Sequence, residues 1–276
     1  MSLVVAIPVY NEEKYLIKTL NSLKTQNIDC TFFVADNHSD DKSWEIISDV
    51  ASIDDRFVIF RHNENFGGFF NGEFLYEKIM ELSPDFFMFM GGHDVLSDGY
   101  LKNVLALLEQ DSTASMAMGL PCVIDEEDKF TGVNESAIYD FTHENPLKRY
   151  IDSIMQLSNC TCFQSIYRTE HFKSFKLKQT LSADHVFISH ALWRGKLIFS
   201  KEDKYFRRCF PKTNSMRESY TQRLTGNKSR NLNRRGFYEF YLDNFAQNFN
   251  GDERFKMYLD MKIIALLEKR WGSHFL

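Results

Sequence analysis

Most of the chemistry legible in this chain sits in two loops, Pro8-Val9-Tyr10-Asn11-Glu12-Glu13 and Asp36-Asn37-His38-Ser39-Asp40-Asp41. Each loop follows an apolar run, Val4 to Ile7 in the first case and Thr31 to Ala35 in the second. A buried strand that breaks into a polar loop and then a helix puts the loop at the carboxyl edge of a sheet, where open α/β folds bind ligands. Asp36, at a strand end, can accept a hydrogen bond from a nucleobase N–H. Tyr10 offers an aromatic face, and Pro8 fixes the entry of its loop. Asn11 and Glu12 also suit a helix start, as cap and dipole partner, and capping is compatible with binding. Together the loops predict a polar, nucleotide-sized site near the N-terminus.

The elements that must position these loops follow from periodicity. Strands are expected over 3–9, 30–36, 56–61 and 86–90, and helices over 12–26, 42–52, 68–82 and 98–110. Leu16, Leu20 and Leu23 recur at helical spacing, with Asn11 placed as the N-cap. Such alternation implies a mostly parallel sheet covered by helices on both faces. After residue 111 the rhythm changes. Met116 to Val123 and Cys162 to Tyr167 read as strands, with an irregular acidic stretch at Asp125 to Lys129. A helix begins after Asp184 and stops near Gly195, a strand is expected at 196–200, and two helical patterns between Phe237 and Trp271 flank Asn250-Gly251-Asp252.

Composition narrows the class. At 43% hydrophobic and 26% charged, 276 residues suit a folded α/β domain with a sizeable core. The 26 Phe residues suggest sugar-facing walls or simply a Phe-rich core. No run approaches the roughly 20 apolar residues that span a bilayer, and no signal peptide is read. The five cysteines have no zinc-type spacing, and Cys160-Thr161-Cys162 would put both thiols on one face of a strand. A reduced, cytosolic compartment is expected. Residues 1–203 hold 18 Lys/Arg against 31 Asp/Glu, a net charge of −13, whereas 204–235 hold 10 basic residues against Glu218 alone. A basic segment on an acidic protein suits phosphates or an anionic membrane surface; a solvated basic loop is the alternative.

The order of motifs resembles family 2 glycosyltransferases. Pro8-Val9-Tyr10-Asn11-Glu12-Glu13, with Tyr15-Leu16, Leu20, Ser22-Leu23 and Gln26 behind it, is similar to their opening signature, and Asp36-Asn37-His38-Ser39-Asp40-Asp41 to the second. The likeness continues through Asn65-Phe66-Gly67-Gly68, Gly92-His93-Asp94-Val95-Leu96 and Ala183-Asp184-His185, over about two hundred residues. It implies a GT-A fold and an inverting enzyme that moves a sugar from a nucleotide-diphospho-sugar, with uracil the commonest base. Pro8, Tyr10, Glu12 and Asp36 would line the nucleotide pocket, and Arg207 or Arg208 would clamp the diphosphate. Asp184 would be the base that deprotonates the acceptor hydroxyl. The family's Asp-x-Asp motif, which holds Mg²⁺ or Mn²⁺, keeps only its last carboxylate, as Asp94; the other falls at Gly92 or His93. His93 is a candidate second ligand that would favour Mn²⁺. The usual acidic residue before the base is replaced by Ala183, and an ordinary helix N-cap is the competing role for Asp184.

The expected organisation is a GT-A catalytic domain over 1–205, with a nucleotide half to residue 96 and an acceptor half from 97, then a basic linker and helical extension over 206–276. The resemblance also implies a glycan or lipid-linked acceptor in bacterial surface polysaccharide synthesis, at the cytosolic side of the membrane. Residues 204–235 are the candidate membrane contact. A homodimer is compatible with the C-terminal helices, and no nucleic-acid recognition motif is present. Two alternatives remain. One is a nucleotide-sugar-binding protein with impaired catalysis. The other is a sugar nucleotidyltransferase, disfavoured because the first loop lacks the Gly-rich, Arg-containing phosphate segment that such enzymes need.

Overall fold

The computed structural model describes residues 2–210 and 234–272. Lys212, Arg217, Arg223, Lys228 and Arg230 of the basic segment lie outside the described residues. The first half runs β1 (Leu3–Val9), α1 (Leu16–Lys24), β2 (Thr31–Asp36), α2 (Ser43–Ala51), β3 (Phe57–Arg61), α3 (Gly68–Leu82) and β4 (Phe86–Phe89). Then follow β5 (Val95–Leu96), α4 (Tyr100–Gln110), β6 (Ala114–Ile124), β7 (Phe130–Val133), α5 (Pro146–Gln156), β8 (Ile166–Arg168), α6 (Ala183–Arg194) and β9 (Lys196–Arg208). The helices α7 (Arg234–Asn248) and α8 (Glu253–Trp271) complete the described chain.

The strands form one nine-stranded sheet in the order β3-β2-β1-β4-β8-β6-β9-β5, with β7 paired to β6. Four pairings, β1–β2, β1–β4, β2–β3 and β6–β9, are parallel and carry most of the paired residues, and four short ones are antiparallel, so the sheet is mixed with its longest ladders parallel. Each parallel neighbour needs a crossover, which α1, α2 and α3 supply in the first half; beyond β4 the chain returns through hairpin-like and reversed strands. Pro8 sits in the central strand β1 without breaking the ladder. Ala6 accepts from Met90 N at 2.9 Å, so residue 8 faces the same side, just past the last β1–β4 partner pair at Ala6 and Phe89.

Three expectations change. Asn11 does not cap α1: the helix begins at Leu16, Tyr15 occupies the cap position without a side-chain bond, and Asn11 has a left-handed φ of 53°. Residues 160–164 form a 3₁₀ turn instead of a strand, so Cys160 and Cys162 do not share a strand face, and only Ile166–Arg168 pairs as β8. The strand expected at 196–200 runs on to Arg208, through the 205/206 position, because β6 pairs with it in two stretches, at Lys196–Phe199 and Lys204–Arg208.

Most of the phenylalanines build core. Phe87, Phe172, Phe187, Phe237 and Phe245 are among the largest fully buried side chains. Helix α6 is buried on nearly every side, from His185 to Leu192, because α5 and α7 cover the face that the sheet does not. Its polar residues are therefore spent on packing. Ser189 Oγ meets Ser153 Oγ at 2.7 Å and Tyr241 Oη at 3.2 Å. His190 Nε2 donates to His171 O at 2.8 Å, while Nδ1 accepts from Asn244 and Asn248 side chains at 2.9 and 3.1 Å.

Burial, helped by the nearby Arg194 and His171 charges and only partly offset by the bond to His171 O, holds His190 neutral and lowers its pKa from 6.5 to about 4. The unfolded chain then binds a proton that the folded chain refuses, so stability is full above about pH 6.5 and falls as the pH drops toward 4. The loss amounts to about 3 kcal/mol. Melting temperatures measured from pH 7 to pH 4.5 are expected to fall less steeply for His190→Gln than for the wild type; parallel curves would rule this account out.

Candidate active site

The two N-terminal loops are bonded to each other, and most of their conspicuous residues serve that purpose. Asn11 N donates to Ser39 Oγ at 2.9 Å, Glu12 N to Ser43 Oγ at 2.8 Å, and Glu13 N to Asp41 Oδ2 at 3.0 Å. In return Asp40 N donates to Asn11 Oδ1 at 2.9 Å and Lys42 N to Glu13 Oε2 at 3.0 Å. A third loop joins through Asn37, whose Nδ2 donates to Asn65 Oδ1 at 2.8 Å and whose Oδ1 accepts from Phe66 N at 3.1 Å. The carboxyl ends of β1, β2 and β3 thus form one rigid rim.

Asp36 is fully buried in that rim. Its carboxylate accepts from Ser39 N at 3.2 Å and Ser39 Oγ at 2.5 Å, and pairs with Arg61 Nε at 3.2 Å. Pro8 lines the cavity described below, and Tyr10 is half-buried at the head of the first loop.

Glu12 reaches across to the segment after β4, where its Oε1 accepts from His93 Nδ1 at 2.9 Å. Burial works against a charge on His93, but the Glu12 hydrogen bond and the nearby Asp94 and Glu12 charges outweigh it and raise the His93 pKa. Its other nitrogen, Nε2, lies 3.9 Å from Asp94 Oδ1. Asp94 is only 3% exposed, with Oδ2 accepting from Tyr205 Oη at 2.6 Å and Oδ1 from Arg208 N at 2.9 Å. Each carboxylate oxygen keeps a further lone pair. One cation with bonds of about 2.1 Å can bridge donors at that His93–Asp94 separation. Glu12 would hold the imidazole in the tautomer that leaves Nε2 free to ligate. The residues therefore fit one cation, which a single carboxylate and one imidazole would hold.

The two candidate phosphate clamps separate. The Arg208 guanidinium is buried and bonded within the protein: Nε donates to His93 O at 3.0 Å, Nη1 to Asp125 O at 2.6 Å, and Nη2 pairs with Asp128. Tyr15 stacks on it at 4.4 Å. It holds the His93 loop, the β6–β7 turn and α1 together, which removes it as a phosphate clamp. Arg207, its neighbour on β9, is half-buried. It donates from Nη1 to Asn159 Oδ1 at 3.1 Å and Thr161 Oγ1 at 2.8 Å, and its charge is felt at both His93 and Cys160.

Between these groups lies a cavity of about 310 Å³. Its walls combine Pro8, Gly68 and Phe69 from the nucleotide side, Phe89, Met90 and Gly91 from the end of β4, and Phe163, Gln164, Leu177 and Phe187 from the second half. Ser182, Ala183 and Asp184 close it. A Cβ on Gly91 would stand 2.8 Å from Asp94 Oδ2, so glycine there lets the cavity wall pass beside that carboxylate. Asp184 is not the helix cap, because Ser182 holds that position; it stands in the first turn of α6. Its Oδ1 accepts from His185 N at 3.0 Å, and the Cys160 sulfur lies within 4.8 Å of its carboxylate. Burial first, and then the Asp184 charge, push the Cys160 pKa well above the ordinary thiol range.

Sequence patterns did not flag Tyr205 as an Asp94 partner, nor Phe163, Gln164 and Leu177 as cavity walls. Gln164 leaves a buried Oε1 without a hydrogen-bond partner and lines the same cavity as Asp184. A glutamine between two aromatic-flanked turns carries no periodic signal, so only the cavity reveals it.

The mixed sheet, the flanking helices and the cavity at the carboxyl ends of β1 and β4 define a GT-A-type glycosyltransferase fold. The structure matches S. aureus TarS residues 1–349 with a TM-score of 0.67 at 16% identity, covering 99% of this chain and 73% of that one. The same fragment in complex with UDP-GlcNAc matches with a TM-score of 0.66, also at 16% identity, over 98% of this chain and 73% of that one. Full-length S. aureus TarS matches at 0.64 and 16% identity over 98% of this chain, which spans 44% of that protein. The sequence model for Glycosyl transferase family 2 matches residues 4–176. The chain belongs to that family and is a glycosyltransferase. Among curated proteins, no sequence matches it.

Proposed function

We propose that the chain is an inverting transferase that moves a sugar from a UDP-sugar to an acceptor hydroxyl. The observation that supports this reading is the cavity, which Pro8 and Gly91 at the strand ends line together with Asp184. Asp36 accepts the base N–H, Tyr10 lies against the base, and Pro8 shapes the floor of the site. Arg207 meets the diphosphate from the β9 side. The fold neighbour solved in complex with UDP supports uracil as the base.

The sugar then occupies the cavity, where aromatic walls suit its C–H faces and Gln164 suits a hydroxyl. The acceptor hydroxyl attacks the anomeric carbon from the face opposite the diphosphate, and Asp184 takes its proton as the new bond forms. That displacement inverts the anomeric centre. Asp94 and His93 would hold Mg²⁺ or Mn²⁺, the imidazole favouring Mn²⁺, and the metal would neutralise charge on the leaving diphosphate. We place the acceptor among glycans or lipid-linked glycans of a bacterial surface polysaccharide. Among the described residues no helix is long and apolar enough to cross a membrane.

A thermal-shift series tests the reading. UDP and UDP-sugars are expected to raise the melting temperature more than other nucleotides, and Mn²⁺ to enlarge the shift. Asp36→Ala removes an acceptor from a charged group and should weaken UDP about tenfold by calorimetry. An unchanged affinity would remove Asp36 from the nucleotide site. Product release from a UDP-sugar with a competent acceptor would exclude a binding protein without catalysis.

A further inference from the structure

Cys160, Asp184 and His185 each offer one ligand atom, and these atoms lie within 4.8 Å of one another. Among the described residues no other group of three or more such side chains converges in this way. Cys160 opens the 3₁₀ turn that Asn159 caps, its Oδ1 accepting from Thr161 N at 3.0 Å, while Asp184 and His185 stand on the first turn of α6. An independent sign comes from His185. It is 7% exposed, its ring packs edge-on against Trp271 at 4.5 Å, and its Nδ1 is buried without a hydrogen-bond partner. A buried imidazole nitrogen left unpaired is destabilising unless something binds it.

We propose that Cys160, Asp184 and His185 form a site for a thiophilic divalent cation of the Zn²⁺ class, separate from the position at Asp94. A sulfur, an imidazole nitrogen and a carboxylate oxygen are the donor set of Zn²⁺, whereas Mg²⁺ demands oxygen. Three protein ligands would leave a fourth position open, and one of the three, Asp184, lines the cavity. Binding displaces the Cys160 thiol proton to solvent, the sulfur coordinates as thiolate, and no electron is transferred. The competing role for these residues, a nucleophilic cysteine, needs a lowered thiol pKa, and burial and the Asp184 charge act in the opposite direction. The charges of Arg207 near Cys160 and Arg270 near His185 oppose the cation, so the site suits regulation better than permanent structural zinc. Bound Zn²⁺ would engage Asp184 and stop transfer, a consequence that rests on the reading of Asp184 as the acceptor base.

Titrating the full chain with Co²⁺ tests the site directly. A sulfur-to-cobalt charge-transfer absorption should rise to a stoichiometric endpoint and vanish on adding Zn²⁺. It should be lost in Cys160→Ala and retained in Cys209→Ser, which removes the exposed thiol. His185→Gln serves as the second variant, with a weaker and displaced band, and circular dichroism reports folding. Absence of the band, or its survival in Cys160→Ala, overturns the site. Loss of transfer on stoichiometric Zn²⁺ in the wild type supports both readings. A bound cation with unchanged transfer would keep the site and overturn Asp184 as the base.

Discussion

Asp184→Asn is expected to lower kcat/KM for sugar transfer by on the order of a thousandfold. The affinity for UDP should stay unchanged, because the proposed nucleoside contacts at Asp36 and Tyr10 lie in the N-terminal loops and not on α6. The substitution is conservative in shape. Asn retains an oxygen to accept the His185 N–H that now bonds Asp184 Oδ1 at 3.0 Å, so the first turn of α6 keeps its local bond. What disappears is basicity. An amide cannot take the acceptor proton, and the hydroxyl must then attack while still protonated. Steady-state kinetics beside calorimetry separate the two effects. A variant that turns over within a few-fold of wild type would remove Asp184 from the chemistry, and one that loses UDP binding would place it in the donor site.

The second large effect is on stability. Arg208→Met should cost about 4 kcal/mol, because a buried guanidinium is removed while its partners stay in place. Asp125 O and His93 O each lose a donor, Asp128 loses its ion-pair partner, and Tyr15 loses the cation over its ring. Methionine fills part of the volume, so the loss is electrostatic and hydrogen-bonding in origin rather than a cavity effect. Arg208→Lys should recover little, since a single ammonium cannot reach three acceptors arranged around a planar fork. Denaturant midpoints measure it. A midpoint for Arg208→Met equal to that of the wild type would show that the buried pair contributes nothing. The matching change at Arg207 should leave the midpoint nearly unmoved and weaken UDP instead.

The front half of the molecule was largely legible. The apolar runs before Pro8 and Asp36 became β1 and β2 within a residue of the expected bounds, and the leucine spacing marked α1. These are local signals, since a short buried strand and a helical stripe each declare themselves within a few residues. The Asn11 cap failed for a reason equally local to the fold. The loop's polar groups pair with those of the second loop, so Asn11 serves Asp40 N and the helix starts four residues later than capping alone would set it. Helix α6 is nearly all buried, so its pattern alone could not say which face meets the cavity and which meets α7. Two signatures read as ligand loops turned out also to be the bonds that make one rim of three strand ends.

The sequence by itself determined the family-like order of strand-end loops, the α/β class, and a short list of carboxylates and basic residues able to do the work. Tertiary structure decided where each residue of that list points and what it bonds. Arg207 and Arg208 are adjacent, and no sequence argument separates them. On a strand, successive side chains point to opposite faces, so β9 sends one guanidinium toward Thr161 and the other into the interior beneath Tyr15. In the same way Asp94 is positioned by Tyr205, 111 residues away, and Asp184 meets a cysteine that lies on another turn. Periodicity is a short-range code for burial, whereas the partners of a carboxylate are set by which strands the sheet makes neighbours.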